Sequence, residues 1–204
     1  MTITIKATEL PAIGATYQGG FFAGLITLNG DTYGLVVAPK AQGELEEATW
    51  GVYGNDLPGA FSFNDGLANT QAMAAAESDL ARWMLALDIA GFSDWYLPSR
   101  DELEICYRNL KPTEQHNYCS FRDGENPSTT PVSYPYTATN PVQTQAAPFA
   151  DGGEEAFAPS WYWASTQSSP TSAWIQYFGG GYQVNVHNDG ETRARAVRRF
   201  KVTP

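Results

Sequence analysis

The alternation of apolar and polar positions is clearest near the C-terminal end. Tyr182, Val184 and Val186 alternate there with Gln183, Asn185 and His187. That is the period of a strand with one buried face and one wet face. Gly179-Gly180-Gly181 precedes the run and Asn188-Asp189-Gly190 follows it. A glycine run supplies the positive φ angles that tight turns need, and Asp-Gly between alternating runs is a strong hairpin signal. The pattern predicts an antiparallel meander over 172–178, 182–187 and 192–200, with a fourth strand over 162–165.

The same reading applies to the rest of the chain. Residues 2–6 alternate Thr and Ile, which suits an edge strand or a subunit contact. Runs at 21–28 and 32–38 flank Asn29-Gly30-Asp31, predicting a hairpin on the favoured Asn-Gly turn. Gln18-Gly19-Gly20 reads as a loop before it, 40–47 as an exposed acidic connection, and 55–59 as a second loop. Met73, Ala76, Leu80, Trp83, Met84 and Leu87 recur at three- and four-residue steps, predicting helix over 67–90. Ser78 suits a helix cap, which places a break near Glu77. Gly91 is the stop signal. A second helix is expected over 100–110: Ser99 and Glu102 form a capping box, Leu103, Cys106 and Leu110 make a narrow apolar stripe, and Pro112 ends it. Residues 111–160 turn to Pro, Thr, Ser, Asn, Gly and Gln, and read as a long insertion loop. Its aromatics, Tyr118, Phe121, Tyr134, Tyr136, Phe149 and Phe157, are expected to pin it to the body. The elements together predict an α+β chain: an N-terminal segment over 1–16 with an oligomer contact, then one domain over 17–204.

Composition narrows the class. The chain has 204 residues, enough for one full core, with 43% hydrophobic and 17% charged residues, so it reads as globular. A formal net charge of −10 argues against nucleic acid as a partner, because phosphate binding needs a basic footprint. Five of the twelve basic residues, Arg193, Arg195, Arg198, Arg199 and Lys201, sit near the C-terminal end. The favoured reading pairs them with the acidic body; the alternative is a small acidic ligand. With two cysteines, Cys106 and Cys119, a single disulfide stays open; Cys106 on the apolar side of a helix favours a buried free thiol. No run of about 18 apolar residues predicts a membrane span. MTITIKATEL lacks the charge and apolar core of a Sec signal peptide.

Chemical motifs are sparse. His116 and His187 stand far apart and match no zinc spacing. No nucleophile elbow, P-loop or dinucleotide fingerprint is present. Paired carboxylates, Asp101/Glu102 and Glu154/Glu155, read as solvated. Asp123, Glu125, Asn126 and Asp189 offer oxygen ligands, but no calcium-loop pattern surrounds them. No catalytic residue, metal or cofactor is expected.

DWYLPSRDEL at 94–103, followed by YWAST, AW, a Gly-rich turn and RAVRR, resembles the Lcl C-terminal domain family over most of 17–200. The resemblance implies a C-type-lectin-like fold, with two helices packed on small antiparallel sheets and a long loop insertion. Trp95 and Leu97 are expected in the core, and Trp163 and Trp174 under the terminal sheet. Phage receptor-binding proteins share the fold. They meet ligands between the YWAS-like and RAVR-like segments, which here implies Gln167, Ser168, Thr171, Gln176, Tyr177, Tyr182, Gln183, Asn185, His187, Asn188 and Asp189. Alternation places Tyr182 with Val184. Rigid aromatics mixed with Ser, Asn and Gln suit recognition. The formylglycine-generating enzyme shares the fold too, but its cysteine pair near the C-terminus has no counterpart after Cys119.

The implied function is a phage tail protein, at a fibre or baseplate, that recognises a host cell-surface receptor, glycan or protein. Its place is the virion, after synthesis in the host cytoplasm and release by lysis, beside other virion proteins and without membrane insertion. The alternative is a virion assembly or decoration protein with no host receptor. The alternating 2–6 strand and the first hairpin suggest a self-associating edge, and the resemblance implies a homotrimer.

Overall fold

A computed structural model gives the structure of residues 5–119 and 124–203. The chain is a mixed α+β structure with two five-stranded sheets. In the first sheet, β1 (Ile5–Lys6), β2 (Thr16–Tyr17), β3 (Gly20–Leu28) and β4 (Asp31–Val37) are joined by the last strand, β10 (Val197–Thr203). The order is β1-β10-β4-β3-β2, antiparallel except for β1 on β10. The second sheet holds β5 (Glu44–Thr49), β6 (Trp161–Ser169), β7 (Ser172–Tyr177), β8 (Gln183–His187) and β9 (Glu191–Arg195), in the order β5-β9-β6-β7-β8. Four helices accompany them: the single turn α1 (Lys40–Gly43), α2 (Gly66–Ala75), α3 (Asp79–Leu85) and α4 (Arg100–Leu110).

Local signals behave as the sequence implies. Asn29 and Gly30 both take positive φ, 52° and 84°, as the turn matched to strand twist requires. Glu77 (φ 68°) breaks the long helical run, and the Ser78 side chain accepts from Ala81 N to start α3. That helix stops at Leu85, short of residue 90. Ser99 and Glu102 form the capping box of α4.

Long-range pairing corrects several expectations. The run 192–200 is two strands, not one. β9 pairs with β5 and, in parallel, with β6; after Ala196 the chain crosses to the first sheet as β10 beside β4. β8 therefore pairs with β7 alone, and the Asn188-Asp189-Gly190 turn steers the chain away instead of closing a hairpin. The antiparallel meander is β6-β7-β8: the expected strand over 162–165 is its first member, and the run 192–200 does not belong to it. Residues 40–47 are not an irregular connection: α1 leads into β5, and while Ala41, Gln42, Glu46 and Glu47 are exposed as expected, the Glu44 side chain is buried against Arg193 and Arg195. Nor is the first hairpin an open edge, since β3 and β4 are interior strands. Of the 2–6 strand, Ile5 and Lys6 pair at the sheet edge; residues 2–4 lie outside the described residues.

Two hydrophobic cores lie on either side of the stretch 94–97. Trp95 and Leu97 enter one with Trp50, Met73, Leu80, Met84 and Trp163. Tyr96 points into the other with Leu103, Cys106, Tyr107, Tyr162 and Phe178. The backbone of Tyr96 exchanges both hydrogen bonds with Val197 (2.8 and 2.9 Å), so this short bridge stitches the cores together.

α4 is buried almost all round, not along a narrow stripe. Its charged side chains organise the insertion. Glu104 accepts from Tyr136 Oη, Asn126 Nδ2 and Arg108 Nε, and Ser128 Oγ donates to Asp101. Arg108 donates to the Tyr134 and Gly124 carbonyls. Tyr136, Phe149 and Phe157 pin the insertion as expected, whereas Tyr118 and Tyr134 are exposed; Phe121 lies outside the described residues. The C-terminal basic residues pair with acids: Arg193 and Arg195 with Glu44, Arg195 also with Glu155, Arg198 with Asp94, Arg199 with Asp65, and Lys201 with Asp31. Burial pulls Arg195 below its usual value, and Glu44 and Glu155 oppose that pull.

Two measurements follow from this packing. Both cysteines are free, Cys106 buried and Cys119 exposed, and burial pushes the Cys106 thiol far up. A thiol reagent at neutral pH is expected to modify Cys119 alone in the native chain and both residues only in denaturant; fast native labelling of both would contradict the packing. Glu102 receives Gly66 N, Ser99 N and Tyr96 Oη. Glu102→Ala leaves these buried donors unpaired and is expected to cost about 2–4 kcal/mol in urea unfolding.

Candidate functional site

The expected ligand-meeting residues divide into two kinds. Gln167, Gln176, Gln183 and Asn188 are buried and serve the fold. Gln167 clamps the loop before α2: its Oε1 accepts from Leu57 N (2.8 Å) and its Nε2 donates to Asn55 O (2.7 Å). Gln183 accepts from Arg100 Nη2 (2.6 Å), and its Nε2 donates to Arg100 O and Gln176 Oε1 (both 3.2 Å). The Gln176 amide in turn donates to Gly181 O, fixing the glycine turn in which Gly181 holds φ 77°. Asn188 donates to Pro170 O, and its own carbonyl receives Trp50 N and Gly51 N. The expectation that Gln183 shares a wet face with Asn185 and His187 is corrected: α4 begins against that end of β8 and takes up the amide. On the other face Val184 and Val186 are half-buried.

The remaining members reach the surface in separate places. Asn185, His187 and Asp189 are exposed, while Ser168, Thr171, Tyr177 and Tyr182 are half-buried. Ser168 and Thr171 flank the β6–β7 turn, where Thr171 Oγ1 lies 3.3 Å from Ser169 Oγ. Tyr177 and Tyr182 stand on the face of Val184. They gather around Trp161 (ring centroids 5.2 and 5.7 Å), with Tyr118 against Tyr182 (4.7 Å). The structure thus puts Tyr177 and Tyr182 on the opposite side of the hairpin from Asn185 and His187.

Beside Asn185 and His187 lies an aromatic group that the sequence reading missed. Trp174 pairs across the strands with Asn185. It is half-buried, not covered by the sheet, and meets Phe63 edge to face (6.2 Å). Tyr53 meets the His187 ring in the same manner (5.5 Å). Phe63 and Tyr53 are 38% and 50% exposed, so the group is open to solvent. Beneath it lies the buried Arg100 guanidinium, 4.7 Å from the Trp174 ring and 5.1 Å from Phe63. A desolvated cation under two aromatic faces attracts both. Its own position is fixed by Gln183 and by Arg100 N donating to Thr166 Oγ1 (3.0 Å). The outcome is a rigid platform of rings with an amide and an imidazole at its rim. Among the described residues no three of His, Cys, Asp and Glu gather in a way that would hold a metal ion. No helix among them is long and apolar enough to cross a membrane.

A family model described as the Lcl C-terminal domain matches residues 44–198, more than half of the chain. The chain belongs to the Lcl C-terminal domain family. No match is found among curated proteins. The span matched by the Lcl model runs from β5 into β10 and contains the whole platform, whereas β4, to which β10 pairs, lies before it.

The sequence reading missed Tyr53 and Phe63 because they lie in the irregular stretch before α2, more than a hundred residues from β7. The available signal was the density of aromatics there, Trp50, Tyr53, Phe61 and Phe63. The two kinds of site residue should separate in urea unfolding. Gln183→Ala, which strips the buried Arg100 of an acceptor, is expected to cost about 1–3 kcal/mol. Asn185→Ala, at an exposed position, should stay within about 0.5 kcal/mol of wild type. Equal effects would contradict the division.

Proposed function

We propose that this chain is a non-enzymatic binding module of a phage tail, at a fibre or baseplate, that recognises a host cell-surface receptor. Its architecture is read as C-type-lectin-like, supported by family membership together with the small, largely antiparallel sheets and the long insertion.

The observation that carries the reading is the platform on β7 and β8. Trp174 and Phe63 are immobilised by Arg100, and Asn185, His187 and Tyr53 stand exposed at the rim. Rings held in place lose little entropy on binding, while amide and imidazole groups add directional hydrogen bonds. None of the three rim residues belongs to a core cluster, so their identity is open to selection for a ligand.

A second reading, an assembly or decoration part of the virion, has its own support. Ile13, Val132, Tyr134 and Val142 are exposed apolar side chains around two adjoining clefts that share Ile13, Arg108, Asn109 and Tyr134. Contiguous exposed apolar surface of this kind marks protein contacts.

Binding of labelled protein to candidate host cells separates the two. The exposed triple variant Tyr53→Ala, Asn185→Ala, His187→Ala should fold normally and lose at least about tenfold in affinity, since truncating interface anchors costs upward of 1–2 kcal/mol each. Val132→Lys with Val142→Lys should bind as wild type. Undiminished binding by the triple variant would overturn the platform as receptor site. Loss only in the lysine pair would move the receptor site to the clefts, and a wild-type chain that binds no host cell would favour the assembly reading.

A further inference from the structure

The two sheets have four edge strands, and three are guarded. Among the described residues β1 and β2 are each two residues long. β5 carries the exposed Glu46 and Glu47 and pairs with β9 through a register break. Shortness, charge and irregularity are the devices by which proteins keep sheet edges from pairing with other chains. β8 has none of them. Its sequence, Gln-Val-Asn-Val-His, contains no Lys, Arg, Asp, Glu or Pro, and it pairs with β7 over five residues without a break.

The unpaired groups of β8 follow from the hydrogen bonds of its neighbours. Tyr177 N donates to Tyr182 O, and Asn188 N donates to Thr171 O. Residues opposite each other in an antiparallel pair alternate between bonded and non-bonded, so Val184 and Val186 face β7 with their backbone groups. The N–H and C=O groups of Gln183 and Asn185, and the N–H of His187, point to the open side. Among the described residues no other element hydrogen-bonds to them.

We propose that β8 pairs antiparallel with β8 of a second copy of this chain, about a two-fold axis through Asn185. Such a contact must be self-complementary, each residue meeting its symmetry counterpart. About Asn185 the strand satisfies this on both faces. Asn185 meets Asn185 of the other copy, and Gln183 meets His187. Val184 meets Val186, covering valines that are half-buried in the single chain. No like charges meet, although each copy carries a net charge of −10. A second copy brings the matching pattern by symmetry; an unrelated strand would have to supply it separately. The pairing closes on two copies, where the family resemblance implies three. It also places the Trp174, Asn185 and His187 groups of both copies on one continuous sheet face, so each copy adds residues beside the other's platform. The inference stands on strand geometry and holds whatever that face binds.

Sedimentation equilibrium of the full chain tests it. Wild type is expected to shift from monomer to dimer with concentration, and Asn185→Lys, an exposed position, to fold and stay monomeric. In a Cys119→Ser background, Asn185→Cys should form a disulfide-linked dimer on mild oxidation, because Cα atoms of a bonded antiparallel pair lie about 5.5 Å apart, within disulfide reach. Asp189→Cys in the same background should not cross-link, since it lies beyond His187, whose two copies are already roughly 14 Å apart at about 3.4 Å per residue. A wild-type chain that is monomeric at all concentrations, a trimer, or a dimer that survives Asn185→Lys without a cross-link in Asn185→Cys would overturn the proposal.

Discussion

The carboxylate of Glu102 joins the start of α4 and the nearby bridge at Tyr96 to two parts distant in sequence, α2 and β10. One oxygen accepts from Ser99 N and Gly66 N, at the starts of α4 and α2. The other accepts from Tyr96 Oη (2.7 Å) in the bridge between the cores and lies 3.8 Å from Arg199 on β10. Glu102 is fully buried. Burial raises its proton affinity, and Arg199 and the N–H donors oppose the rise. A buried charge is tolerated only when its lone pairs are filled, and here they are filled from every side. The first residue of α4 is thereby placed, and with it Arg100, the cation on which the platform rests.

Features governed by neighbours in sequence were legible before the structure. The Asn29-Gly30 turn, the break at Glu77, the Ser99 cap and the family motif each depend on a few adjacent residues. What escaped depends on partners far away. The run 192–200 holds no Gly, Pro, Asn or Asp to divide it, although Ala196-Val197 and Arg198-Arg199 break its alternation. Only the neighbours of Ala196, whose N–H goes to Gly43 O and whose carbonyl receives Ala38 N, show that the chain changes sheets there. α4 was misread for a related reason. A narrow apolar stripe normally means a wet opposite face. Here Asp101, Glu104 and Arg108 are satisfied by the insertion, a segment that reads as loop and offers no period to match against them.

The candidate site shows the same division. Gln167, Gln176, Gln183 and Asn188 carry the polar amides expected at a recognition surface, yet their donors and acceptors fasten turns and a buried guanidinium. Sequence cannot distinguish an amide that hydrogen-bonds inward from one that faces water, because both are compatible with the same alternation. Asn185 and His187 are exposed as the alternation implies, and two of the rings beside them, Tyr53 and Phe63, come from the other half of the chain.

The placement of these groups along β8 explains why an exposed polar centre and an open edge coincide. Its first residue, Gln183, is held by Arg100. Just past its last residue, Asn188 is held by Thr171, Trp50 and Gly51 through the backbone and by Pro170 through its side chain. With both ends anchored, the middle of the strand needs no side-chain contact of its own to stay extended. Asn185 is therefore the position where a substitution disturbs the scaffold least and the outward surface most. A strand fixed at its ends and unburdened at its centre can leave its edge unpaired without fraying, so the scaffold permits an unguarded edge there, where the other edge strands are short, charged or irregular.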